Sequence, residues 1–104
     1  MAWLYLVLAG LLEIGWSVGL KYSEGLTRLV PSMVTAVCIT ISVTLLGIAL
    51  RTLPLGTGYA VWVGIGAAGT AIAGVILFDD PLTAARIACI GLIVAGVAGL
   101  KIVA

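Results

Sequence analysis

The segment from Ala2 to Leu20 is nineteen residues long and holds one residue charged at neutral pH, Glu13. A helix of about 20 apolar residues is what a hydrocarbon core requires. A charge near its centre costs roughly 2.5–3.5 kcal/mol even on the most lenient scale, so such a residue faces other protein or a watery cavity. This carboxylate therefore marks the functional centre of the chain. Residues three and four positions away share its helix face, and these are Ala9, Gly10, Trp16 and Ser17. Small residues on one side leave room for a guest or a close partner, and Trp16 offers a flat π face that attracts cations. The competing interpretation makes Glu13 a structural carboxylate satisfied by a neighbouring helix, with Trp16 as an interfacial anchor.

The rest of the chain agrees with a membrane setting. Of its 104 residues 63% are hydrophobic and 9% charged, and the length suits one domain, residues 1–104. The charges are scattered singly, so no basic patch points to nucleic acid. There is no histidine, which removes the commonest metal ligand and the usual proton shuttle. Proton chemistry at neutral pH then falls to carboxylates. Cys38 and Cys89 stand alone in apolar runs without metal or redox spacing. No nucleophile and base are placed together, so catalysis has no support, and neither a cofactor nor a metal site is expected. The first segment lacks a basic residue ahead of it and is interrupted by Glu13, so it is expected to remain as a helix.

The ionisable residues divide the sequence into four spans, at about 2–20, 29–50, 56–78 and 82–103, which predicts an all-α membrane protein with four transmembrane helices. Trp3, Tyr5 and Tyr22 flank the first as an aromatic belt. The second lies between Arg28 and Arg51, with Pro31 near its start where proline is tolerated. Thr35 and Ser42 are seven apart and share a face. Thr35, Thr40 and Thr44 are expected to bond back to their own helix, and Ser42 is expected to reach a cavity. Leu53-Pro54-Leu55-Gly56-Thr57 breaks the chain before the third span. There Tyr59, Trp62, Gly66, Gly69 and Ala73 fall on one stripe. Its early part carries polar-tipped aromatics, and Gly64 and Gly66 suit a conformational hinge. Asp79-Asp80-Pro81 is the last turn. The fourth span has only fourteen uncharged residues between Arg86 and Lys101, about 21 Å of helix, so those two cations must snorkel. Gly91, Ala95 and Gly99 repeat every fourth residue, a pattern of helix pairing in membranes that predicts a dimerisation surface, with packing inside one chain as the alternative.

Orientation in a membrane follows Lys and Arg near helix ends. One side would carry Lys21, Arg28 and Arg86, the other Arg51 and Lys101. That near balance permits insertion both ways. Four helices are too few to enclose a sizeable cavity, so an antiparallel pair of identical chains, bringing two copies of Glu13 together, is a natural expectation.

Several motifs match a known family. They are the acid in the first span, Leu20-Lys21-Tyr22-Ser23 with Gly25 and Thr27-Arg28-Leu29, Pro31-Ser32, and Tyr59-Ala60-Val61-Trp62. Across its whole length the chain resembles the small multidrug resistance transporters. Trp3, Trp16, Leu53-Pro54 with Gly56-Thr57, Gly64-Ile65-Gly66-Ala67 and Gly99-Leu100-Lys101 make it similar to the guanidinium-exporter subtype. The resemblance implies an antiparallel, dual-topology homodimer in the bacterial inner membrane, exchanging protons for a small guanidinyl cation at paired Glu13 carboxylates. It implies Gly10, Trp16, Ser42, Tyr59 and Trp62 as the lining of the substrate site. Two alternatives stand beside it: a multidrug exporter of quaternary ammonium ions, and an accessory membrane subunit.

Overall fold

A computed structural model describes residues 1–103. Among these residues there are four α-helices: α1 (Ala2–Tyr22), α2 (Leu29–Ala49), α3 (Leu55–Phe78) and α4 (Ala84–Val103). Each is long and apolar enough to cross a membrane. The helix ends follow local chemistry. α1 continues past Leu20 to Tyr22 because Ser23, fully buried, closes it: its N–H donates to the Gly19 carbonyl at 2.9 Å and its Oγ to the Leu20 carbonyl at 2.6 Å. The same Oγ accepts the Leu26 N–H at 3.0 Å. This knot holds Glu24, Gly25 and Leu26 in the left-handed region, with φ of 51°, 76° and 69°, a conformation that only glycine adopts without penalty. α4 begins at Ala84 rather than Leu82, because the Thr83 hydroxyl accepts the Arg86 N–H at 3.2 Å and so caps it. With twenty residues it is about 30 Å long, enough to span once Arg86 and Lys101 are counted inside it. Lys101 Nζ lies 4.4 Å from the centroid of the Trp3 ring, which gives that cation an aromatic partner at the membrane edge.

α1 packs on α2 and on α3, and α4 packs chiefly on α3, while α2 and α3 touch only briefly. The apolar core, built on Leu6, Ala9, Leu46, Ala49 and Val61, sits at the end shared by the start of α1, the end of α2 and the start of α3. The helices are thus tied at one end. The molecule measures 40 × 34 × 16 Å. Its short axis is about two helices deep, which leaves no thickness for a closed chamber within one chain.

Thr35, Thr40 and Thr44 each donate to the carbonyl four residues earlier, at 2.8, 2.7 and 2.8 Å. Their hydroxyls stay satisfied inside α2. Of these only Thr35 is buried, where its Oγ1 lies under Gly19 of α1.

Candidate functional site

α1 is the floor of the site, and its two sides are held by different neighbours. Toward α3, Gly10 lies against Ile65, the Glu13 carboxylate against Gly66, and Ile14 against Gly69. One turn further, Ser17 Oγ and Thr70 Oγ1 share a hydrogen bond of 2.7 Å. The numbers rise together on both helices, so α1 and α3 run in the same direction. Toward α2, Gly15 faces Cys38 and Gly19 faces Thr35. Positions 9, 13, 16 and 20 fall between these two sides by helical spacing, so Trp16 stands on the strip of α1 that neither neighbour covers fully.

Glu13 Oε2 and Trp16 Nε1 are both buried, and among the described residues neither has a hydrogen-bond partner. An unpaired buried donor or acceptor costs about 1–3 kcal/mol, and here one of each stands one helical turn apart. The absence of a side chain at Gly66 is what admits the carboxylate: a methyl group there would overlap Glu13 Oε2 and Cδ. α3 continues unbroken through Gly64 and Gly66. Within the chain Gly64 permits the approach of Val97 from α4.

Ser42 is fully buried and joins three helices. Its Oγ donates to the Ala9 carbonyl of α1 at 2.7 Å and accepts the Trp62 Nε1–H of α3 at 3.0 Å. Its only hydroxyl hydrogen therefore goes to the backbone of α1 and not to the carboxylate. Ala9 precedes Glu13 by four residues, so the same carbonyl closes the helical turn that carries the acid. Ser42 is thus tied to the helical turn of Glu13 through the backbone and not to its carboxylate. Ser42→Ala leaves the Trp62 indole without its acceptor, and a stability loss of about 1–2 kcal/mol is expected, read from reversible unfolding in mixed detergent; an unchanged midpoint would refute the three-helix role.

Tyr59 is 53% exposed, and its ring lies 5.6 Å from that of Trp62 at 55°. Trp62 is thereby fixed between Ser42 and Tyr59, with its donor already engaged. Gly10 is buried beneath Ile65, so within one chain it serves helix approach and lines no open space. The structure thus links Ser42, Trp62 and Tyr59 across α2 and α3, joins them to the helical turn of Glu13 through the Ala9 carbonyl, and leaves Gly10 covered by Ile65. On α4, Gly91 and Ala95 are exposed, and methyl groups at Gly91 or Gly99 would meet nothing. The small-residue stripe is not used for packing inside the chain, where α4 presents Ile93 and Val97 to Gly64 instead. The Ser17–Thr70 bond is a feature the sequence reading missed. Its signal was the matching four-residue step from Glu13 to Ser17 and from Gly66 to Thr70.

Chemically, an unpaired carboxylate oxygen beside an aromatic face suits a cation carrying N–H donors. Residues 1–93 match the family described as Small Multidrug Resistance protein. The guanidinium exporter of Yersinia pestis is 56% identical over 102 residues, 98% of each chain. Those of Citrobacter freundii and Salmonella typhimurium are 52% identical over 102 residues, 98% of this chain and 97% of theirs.

Proposed function

Since the chain belongs to the small multidrug resistance family, we propose that it exports guanidinium or a small guanidinyl cation in exchange for protons, with Glu13 as the group for which both compete. It is a multi-pass protein of the bacterial inner membrane. The observation that carries the proposal is the buried Glu13 oxygen lying unpartnered against Gly66. A planar guanidinium presents parallel N–H donors that match a carboxylate fork, and its flat face stacks on an indole such as Trp16. The names of the relatives support this choice of cation over larger ones.

The working unit in this proposal is an antiparallel homodimer of dual topology. A slab about two helices deep, with a small-residue stripe on α4 facing outward, supports a reading in which each protomer contributes half of a site and pairs through α4. Two Glu13 carboxylates then share one site and exchange protons as a coupled pair. An arriving cation displaces protons, and protons arriving from the other side displace the cation. Because both bind one site, acidity on the side of cation arrival weakens cation binding, and this sign of pH dependence is the coupling itself. Exchange of conformation between identical, oppositely inserted chains opens the same site to the opposite side, with Gly64 and Gly66 as the proposed pivot.

Uptake by proteoliposomes that are acidic inside tests the proposal. Saturable accumulation of guanidinium that collapses on adding a protonophore is the expected result. Movement of tetraethylammonium without movement of guanidinium would transfer the chain to a multidrug role, and uptake indifferent to the pH gradient would remove the proton from the mechanism.

A further inference from the structure

The end of the molecule away from the core carries a two-part surface that cation exchange does not use. Its first part is a chamber of about 600 Å³ at the α1–α2 turn, whose charged lining is Lys21, Arg28 and Glu24. Two cations face one carboxylate in this lining; Lys21 also borders the adjoining cavity that Asp80 lines, so the Arg28 side of the chamber is the one open to an anion. Its apolar wall includes Phe78, over which Lys21 Nζ sits 5.6 Å from the ring centroid, and the Tyr22 ring packs on Phe78 at 5.0 Å. The second part is an apolar groove of about 350 Å³ between α1 and α2, floored by Gly15, Val18 and Gly19 and walled by Val30 and Val34. Tyr22 and Arg28 line both parts, so they are continuous. From Tyr22 to Gly15 the groove descends about 10 Å along α1, away from the helix end and into the apolar span.

We propose that this surface binds an anionic phospholipid of the bilayer, its phosphate between Lys21 and Arg28 and one acyl chain along the groove. Each part accounts for one half of such a molecule. Arginine matches phosphate oxygens with a fork of donors, and the first amides of α2, immediately after Arg28, add to the attraction for an anion. Tyr22 has the amphipathic character of residues at headgroup depth. The chamber is also built in advance, because the buried Ser23 knot fixes the left-handed turn of residues 24–26 that separates the two cations. A free inorganic anion shares the phosphate chemistry but leaves the apolar groove unexplained, and that groove is why the proposal commits to a lipid.

Native mass spectrometry of the purified protein, released from micelles containing equal phosphatidylglycerol and phosphatidylcholine of the same chains, is the test. At least tenfold preferential retention of phosphatidylglycerol is expected. It should fall to the phosphatidylcholine level in Lys21→Gln/Arg28→Gln. Val34→Trp, which fills the groove and keeps both cations, should lower retention of both lipids, while Arg51→Gln, an exposed cation at the opposite end, should change nothing. Equal retention of the two lipids, full retention in the double variant, or equal loss in Arg51→Gln would overturn the proposal. Displacement of the lipid by millimolar inorganic phosphate would also overturn it, in favour of a plain anion site.

Discussion

Glu13→Gln is expected to bring guanidinium uptake by proteoliposomes down to that of protein-free vesicles. Glutamine keeps the size of the side chain and removes the charge, so in the proposed site the cation loses its buried counter-ion and the proton loses its carrier. Removing one partner of a buried ion pair costs about 3–5 kcal/mol, which corresponds to roughly two to three and a half orders of magnitude in affinity. Helical content and elution volume should be unchanged, because Glu13 Oε2 makes no hydrogen bond that the fold depends on. Binding measured by calorimetry and uptake measured by isotope should fail together. Persistent proton-driven uptake in the variant would remove Glu13 from the centre of the mechanism; loss of the folded protein instead would support the accessory-subunit alternative, in which the acid only joins helices.

Gly66→Ala should produce nearly as large a loss by a purely geometric route. The new methyl group would overlap the Glu13 carboxylate, whose Cβ stands 3.0 Å away. The atoms in conflict are mainly the far end of a flexible side chain, so the carboxylate rotates aside and the helices stay where they are. A displacement on the scale of 1 Å at a binding group costs about a hundredfold, and a fall of roughly that size in guanidinium affinity is expected with an intact fold. Gly69→Ala, one turn along α3, is the control. Its methyl meets the apolar end of Ile14, so it disturbs packing without touching the acid, and transport should survive. Equal loss in both variants would mean that helix spacing, not the position of the carboxylate, sets activity.

These two glycines also mark the boundary between what was legible in the sequence and what was not. The four spans could be read because charges interrupt apolar runs at membrane-sized intervals, and Glu13 stood out because its cost demands a use. Periodicity placed Tyr59, Trp62, Gly66 and Gly69 on one stripe, but it carries no information about which helix a stripe meets. In the structure that stripe divides: Trp62 turns its donor to Ser42 of α2, while Gly66 and Gly69 receive Glu13 and Ile14 of α1. Gly10 shows the same limit. Its spacing from Glu13 shares a face with the acid, yet the breadth of Ile65 covers it. For Ser42 the sequence indicated a polar residue of consequence but not its partner. A hydroxyl inside an apolar run must find an acceptor, and only the packed structure says that the acceptor is the backbone of α1. The Ser23 knot lay beyond reach for a related reason, since three consecutive left-handed residues, two of them not glycine, follow from tertiary burial and not from local preference.

The attachment of α4 has a consequence for how this chain changes over generations. α4 packs chiefly on α3, meets α1 through Lys101 on Trp3, contributes no buried residue, and turns Gly91 and Ala95 outward, whereas the residues proposed for the cation site lie on α1, α2 and α3. The proposed pairing surface and the proposed cation site therefore have no side chain in common. Drift along the outer face of α4 can alter which chain this one pairs with while Glu13, Trp16 and Ser42 remain as they are. After a gene duplication, two copies could become exclusive partners before either changed its cargo.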